Sequence, residues 1–257
     1  MTKNLVGRVA LVTGATRSIG IGAAICRALA ARGAKVAFTS FTAYDAEMYD
    51  SDVSEPDRLE AELREIGADA TNIPWDLTPA DKLPALLDVV EETLGPLSIL
   101  VNNAAYSTRD GWEALTAEEL DRHYQVNARA TAMLSVEFCR RFQGESGGRI
   151  INFSSGQHLG PMSGELAYAM SKAAIITFTQ SLAPAVIGKS ITVNAVNPGV
   201  TDTGWITDEI REWLLPMMPA GRFGTPEDAA RVVAWLASDE AAWLTGQVIN
   251  SEGGMLR

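Results

Sequence analysis

Arg8-Val-Ala-Leu-Val-Thr13-Gly14-Ala-Thr-Arg17-Ser18-Ile-Gly20-Ile21-Gly22 decides the fold. A short, β-branched apolar run ends in Thr-Gly, a glycine-rich turn follows, and a helical pattern runs through Ile25 and Leu29 to Arg32. Strand, glycine-rich turn and helix form the first half of a dinucleotide site. The glycines let backbone approach a pyrophosphate, and the helix N-terminus attracts its negative charge. Gly14, Arg17, Ser18, Gly20 and Ile21 are therefore candidate cofactor contacts.

Working outward, strands alternate with helices. Ala34–Ser40, Ala70–Trp75, Ser98–Val101, Arg149–Phe153, Ser190–Val196 and Gln247–Asn250 read as further strands. Helices are expected over Asp57–Ile66, Pro79–Leu94, Thr116–Phe142, Leu166–Ala185 and Pro226–Ala237, with an inserted helical pair over Trp205–Met218. The polar segment Thr42–Pro56 reads as a surface excursion. Most strands are continuous apolar runs, which indicates an α/β fold with a parallel sheet covered on both faces. With no long linker, repeat or low-complexity tract, residues 1–257 are expected to form one domain, with a lid insertion at about 204–222. Ligands of such sheets bind beyond the carboxyl ends of the strands. The glycine loop, Asp76, Asn102, Ser155 and Pro198-Gly199 all fall there.

The chain has 257 residues, 47% of them hydrophobic and 21% charged, enough to bury a sizeable core. No apolar run reaches the roughly 18 residues of a membrane span. The start, Met-Thr-Lys-Asn-Leu-Val-Gly, has no signal-peptide apolar region, and a cytoplasmic location is expected. Cys26 and Cys139 have neither metal-ligand nor redox-motif spacing. No His, Cys or carboxylate cluster suggests a metal. A net charge of −11 argues against nucleic acid and anionic membranes as partners.

Chemistry enters with Tyr168-Ala-Met-Ser-Lys172. Positions four apart on a helix are offset by only about 40°, so the phenol and the ammonium share a face. A free tyrosine, with a pKa of about 10, is a poor base near neutrality. A neighbouring cation favours the phenolate and lowers that value. Tyr168 is thereby expected to exchange a proton with an alcohol or carbonyl oxygen.

Thr13-Gly14…Gly20-Ile-Gly22, Asp76-Leu77, Asn102-Asn103-Ala104-Ala105, Asn127, Ser155, Tyr168-x-x-x-Lys172 and Pro198-Gly199-x-x-x-Thr203 together resemble the short-chain dehydrogenase/reductase family over nearly the whole chain. Thr108-Arg-Asp110, Met218–Pro226 and Thr245-Gly-Gln-Val248 look most like 3-oxoacyl-(acyl carrier protein) reductases and related carbonyl reductases. The resemblance implies a single Rossmann-type doubly wound sheet with a small helical lid, and NAD(P)H-dependent interconversion of a ketone and a secondary alcohol. It makes Tyr168 the acid/base, Lys172 its pKa-lowering partner and a ribose ligand, Ser155 the holder of the substrate oxygen, and Asn127 the support of a water chain to Lys172. Asp76 would meet the adenine, Asn102 the ribose side and Thr203 the carboxamide, with Ser40, Leu77, Asn103, Ala104, Pro198, Gly199 and Thr201 as further cofactor contacts. A homotetramer or homodimer is implied by analogy.

Three departures carry weight. Aligning on Ile25 and Leu29 makes Gly20-Ile21-Gly22 the closing pair, so the glycine loop is two residues longer than the family's usual one. That length is similar to enoyl reductases of the same fold, which usually separate tyrosine and lysine by six residues, where this chain has three. Alkene reduction is a minor alternative. At the end of the second strand stands Ser40, not an acid that would repel a 2′-phosphate. Together with Arg17 in the loop this points to NADP, with NAD the second choice. The helix after Lys172 lacks a basic docking residue, Pro184 following Ser181-Leu-Ala183, and the chain is acidic. An acyl carrier protein is a doubtful partner. Gln157, His158, Met162, Trp205 and Trp213 are expected at a hydrophobic substrate pocket, whereas His123, mid-helix, reads as structural. The competing class is a non-catalytic NAD(P)-binding regulator or scaffold, which often loses the tyrosine or lysine.

Overall fold

The computed structural model describes residues 3–144 and 147–256. Seven strands form one sheet: β1 Val9–Val12, β2 Lys35–Ser40, β3 Ala70–Pro74, β4 Ile99–Asn102, β5 Gly148–Phe153, β6 Ile191–Asn197 and β7 Val248–Asn250. Their order is β3-β2-β1-β4-β5-β6-β7, and every pairing is parallel. Ala10, for example, pairs Val36 on one side and Ile99 on the other. The chain builds outward from β1 to β3, then returns to place β4 beside β1. That reversal opens a crevice at the carboxyl ends of β1 and β4.

Alternation within strands sends side chains to two cores. Ala10 and Val12 join the core under α1 (Ile21–Ala30) and the late helix Pro226–Leu236. Val9 and Leu11 join the core formed with Leu83–Leu94, Thr131–Arg141 and Leu166–Val186. Both faces are covered, which explains why the strands read as continuous apolar runs.

Four local features differ from the sequence expectation. The presumed excursion holds a two-turn helix, α2 (Thr42–Tyr49), and α3 starts early, at Glu55 (Glu55–Glu65). α2 buries no residue, so it has no apolar stripe to read. The helix α4 (Leu83–Leu94) is preceded by a 3₁₀ turn, Ala80–Lys82. After the single turn α5 (Gly111–Ala114), the long helix is composite: α6 (Ala117–His123), a π-helical stretch Tyr124–Ala130, and α7 (Thr131–Arg141). The next helix, α8, spans Leu166–Val186, and the inserted pair is one helix, α9 (Asp208–Leu214), with a 3₁₀ turn, Leu215–Met217, before α10 (Pro226–Leu236).

Candidate active site

The glycine loop lies tightly against the start of the loop after β4. Thr13 Oγ1 accepts the N–H groups of Asn103 and Ala104, each at 3.1 Å, while Asn103 Nδ2 donates to the Thr13 and Gly14 carbonyls at 3.0 and 2.8 Å. Gly14 has φ +72°, and a Cβ there would lie 2.6 Å from Ala104 Cα. A Cβ on Gly22 would lie 2.3 Å from the Gly14 carbonyl oxygen. Helix α1 starts at Ile21 after an extended Gly20, with Ile25 and Leu29 fully buried. The longer loop count therefore agrees with the helix phase. This bare, glycine-lined cradle at the end of a helix suits the pyrophosphate of a dinucleotide.

The added loop residues are held from outside. Ser18 N–H donates to Glu55 Oε2 at 2.6 Å, and Arg27 Nη1 donates to the Ser18 carbonyl at 2.8 Å. Arg17 is engaged on the substrate side: Nη2 donates to the Thr203 carbonyl at 2.7 Å, and the guanidinium lies 4.0 Å from the Tyr49 ring centroid. The expectation that Arg17 is directed at a 2′-phosphate is corrected on that point. From α2, Tyr44 receives the Ser107 N–H at 3.2 Å, and Thr16 Oγ1 accepts the N–H of Phe41, just before α2, at 3.0 Å. Thus α2 straps the glycine loop to the segment after β4 across the mouth of the crevice. Tyr44, Tyr49 and Glu55 were missed in sequence, because each is placed by contacts with distant loops.

Beyond β2, Ser40 is buried and donates to Asn72 Oδ1 at 2.8 Å. Asp76 folds into a turn in which its carboxylate accepts the Thr78 N–H and hydroxyl, both at 2.8 Å, and Leu77 is buried behind it. Asn102 sits inside the sheet end, where Nδ2 donates to Ser135 Oγ and Asn152 Oδ1. It is a packing residue of the strand ends, while its neighbour Asn103 reaches the loop.

The central group lies on β5 and α8. Ser155 follows β5, and its hydroxyl is near enough to Tyr168 to favour the phenolate. Lys172, 3% exposed, donates from Nζ to the Phe153 carbonyl at 3.0 Å, and Nζ is 5.7 Å from the Tyr168 ring centroid. Burial lowers the lysine pKa to about 8. Burial also pushes the Tyr168 hydroxyl up to about 12; the Ser155 hydroxyl opposes this, and the Glu165 and Tyr49 charges add to it. Burial thus opposes the acidified phenol expected from the Tyr168–Lys172 spacing.

Asn127 sits in the π-helical stretch and is buried. It accepts the Tyr106 N–H at 2.7 Å, and Nδ2 donates to the Tyr106 carbonyl and to Ser171 Oγ, both at 2.9 Å. Such widened turns are frequent at functional sites. His123 is fully buried: it donates from Nδ1 to the Glu119 carbonyl and accepts the Thr108 N–H. Its ring stands between Tyr106 and Tyr168, at 4.8 and 6.4 Å.

On the substrate side, both amide atoms of Gln157 are buried without a partner, which suits a polar ligand atom. His158 is exposed and bonds only back to the Ser155 carbonyl among the hydrogen bonds described. Met162 is half-buried. Pro198 and Gly199 turn the chain after β6, Thr201 donates to the Pro198 carbonyl at 3.0 Å, and Trp205 Nε1 donates to the Thr201 carbonyl at 2.8 Å. Leu214, Met218 and Phe223 form a small core of their own, and Trp213, 67% exposed, is outside it. Trp213 is thus corrected from a pocket residue to a surface one: the helix turns its leucine face inward.

The sheet order, glycine cradle and Ser155–Tyr168–Lys172 group coincide with clear sequence kinship. A profile described as Enoyl-(Acyl carrier protein) reductase matches residues 14–256. A short chain dehydrogenase from Burkholderia cenocepacia, solved in complex with NADP, superposes with a TM-score of 0.87 at 33% identity, covering 98% of each chain. The chain is a short-chain dehydrogenase/reductase. Within that family it is 48% identical over 252 residues, 97% of each chain, to the uncharacterized oxidoreductase YjdA of Bacillus subtilis. It is 35% identical over 255 residues, 98% of each chain, to the 3-oxoacyl-[acyl-carrier-protein] reductase FabG of Escherichia coli. Like other members of the short-chain dehydrogenase/reductase family, it is an oxidoreductase. Among the described residues, no helix is long and apolar enough to cross a membrane, and no group of His, Cys, Asp and Glu could hold a metal ion.

Proposed function

We propose that the enzyme reduces a ketone to a secondary alcohol with NADPH, with Tyr168 as the proton donor. The observation that carries this is the grouping of Ser155 and Tyr168 with a buried Lys172 at the switch point of the sheet. The glycine loop, Asn103-Ala104, Asp76-Leu77 and the Pro198–Thr203 segment would hold the dinucleotide. When bound, the nicotinamide supplies the hydride. The two neighbouring hydroxyls can both turn to one carbonyl oxygen. With a pKa near 12 the phenol keeps its proton at neutral pH and is ready to give it to the oxygen as negative charge develops there. Lys172, protonated below about pH 8, faces the phenolate left behind. Asn127, bound to Ser171 beside Lys172, fixes that part of the helix.

Ser40 at the end of β2 leaves no carboxylate to repel a 2′-phosphate, and NADP occupies the Burkholderia relative. The reactant is a hydrophobic carbonyl compound, 3-oxoacyl-like or similar, taken free: the net charge of −11 opposes an acidic carrier protein. The profile's enoyl-reductase description supports a second reading, alkene reduction. Against it, Tyr168 and Lys172 stand one helical turn apart. A panel of ketones, 3-oxoacyl thioesters and enoyl thioesters, with NADPH and NADH, separates these. NADPH-driven ketone reduction is expected. Turnover of enoyl substrates alone would replace the carbonyl reading, NADH preference would overturn the cofactor choice, and NADPH binding without any turnover would favour the regulator.

A further inference from the structure

We propose that Asp110 is a positioning residue for proton transfer: from the loop after β4 it caps the helix that carries both Tyr168 and Lys172. This rests on Tyr168 being the proton donor. The first N–H groups of a helix have no partner within it. Glu165, the residue before α8, provides no side-chain cap. Asp110 supplies one from far back in the sequence: Oδ1 accepts the Leu166 N–H at 2.6 Å, and Oδ2 accepts the Ala167 N–H at 2.9 Å. The contact is reciprocal, since the Asp110 N–H donates to the Gly164 carbonyl at 3.0 Å. Burial pushes the Asp110 carboxyl up, but the N–H groups of Ala167, Leu166 and Gly111 more than offset this and hold it below its ordinary value. It is therefore a carboxylate at neutral pH, the form that suits a helix N-terminus.

A second anchor joins the same loop to the same helix. Asn127 ties Tyr106 to Ser171, and Ser171 Oγ donates to the Tyr168 carbonyl at 2.7 Å. Tyr168 follows the capped Ala167 directly, and Lys172 follows Ser171. Each reacting side chain thus stands one residue beyond an anchored one. Farther along, Ile175, Thr179 and Ala183 are buried in the body of the protein, so loss of Asp110 frees the first turn rather than the helix. That turn sets where the Tyr168 hydroxyl meets Ser155.

The test compares Asp110→Ala and Asp110→Asn with wild type in NADPH-dependent ketone reduction, NADPH affinity by fluorescence titration, thermal melting, and amide exchange at Leu166 and Ala167. A shift of ~1 Å costs about 10²-fold in rate, so kcat of Asp110→Ala is expected to fall by ~10- to 100-fold, with NADPH affinity and KM within about two-fold. Asp110→Asn keeps one carbonyl acceptor and should recover only part of the loss, leaving kcat ~3- to 10-fold below wild type. Both variants should exchange faster at Leu166 and Ala167. A kcat within about two-fold of wild type in Asp110→Ala would overturn the proposal. So would a loss matched by equal losses of NADPH affinity and melting temperature, which marks a general structural role. Should the alanine variant not fold, the asparagine variant decides: faster exchange with reduced kcat supports the proposal, and faster exchange with unchanged kcat overturns it. Tyr168→Phe in the same assay keeps the two questions apart. If it retains turnover the proton-donor reading fails, whereas its inactivity beside a fully active Asp110→Ala sinks the positioning role alone.

Discussion

Replacing Lys172 by Met should stabilise the protein at pH 7 while removing its activity. Burial depresses the lysine pKa from 10.5 to about 8. Each unit corresponds to 1.36 kcal/mol, so keeping the ammonium buried costs on the order of 3 kcal/mol. The sign follows from proton counting. Below pH 8 both folded and unfolded chains hold the proton, and the penalty is fully present. Between pH 8 and 10.5 the unfolded chain binds more protons, so stability rises with pH. Above 10.5 both are neutral and the penalty is gone. Tyr168, at about 12, stays protonated in the folded chain through that window, and its titration near pH 10 in the unfolded chain is common to both proteins. The methionine keeps the length and apolar stem but cannot titrate. The decisive quantity is the stability difference between Lys172→Met and wild type, followed by urea unfolding at fixed protein concentration from pH 7 to 10.5. That difference is expected to shrink by on the order of 3 kcal/mol across the window, or about 1 M in midpoint for an m-value near 3 kcal/mol/M. Taking the difference cancels the lost bond to the Phe153 carbonyl and every other titrating group. Parallel curves would show that Lys172 is not held as a costly buried cation.

Other expectations test separate parts of the site. Ser155→Ala removes the hydroxyl beside Tyr168 and should lower kcat by about 10²-fold, with NADPH affinity unchanged in a fluorescence titration. Gly22→Ala would put a methyl 2.3 Å from the Gly14 carbonyl oxygen, so it should weaken NADPH binding sharply and lower the melting temperature. Wild-type affinity there would disprove the close cradle. Glu55→Ala should accelerate amide exchange at Ser18 without accelerating it in β1, and unchanged exchange would show that α3 does not hold the loop.

Much of this was legible in the sequence because it is written in short-range pattern. Continuous apolar strands, the phase of Ile25 and Leu29, and the four-residue spacing of Tyr168 and Lys172 depend on local periodicity, and the structure has them. What escaped depends on distance. Helix α2 has no buried face and is fixed by Tyr44 on Ser107 and Tyr49 on Arg17, pairs that no window of sequence brings together. The π-helical turns around Asn127 carry no residue signal. The outward position of Trp213 follows from which face of α9 packs, and an aromatic residue in an apolar segment looked the same either way. The Tyr168 pKa shows the limit most clearly: spacing revealed the cation beside it, while the larger effect, burial, belongs to the folded chain.

Tyr168→Phe addresses the chemistry most directly, because it removes one oxygen and leaves the ring, the helix and the glycine cradle in place. NADPH affinity is measured by fluorescence titration and ketone reduction by the loss of NADPH absorbance, on the same preparation. Binding close to wild type with turnover reduced by at least about 10³-fold is the expected result. Turnover near wild type with NADPH bound would contradict it, and the proton would have to come from another group.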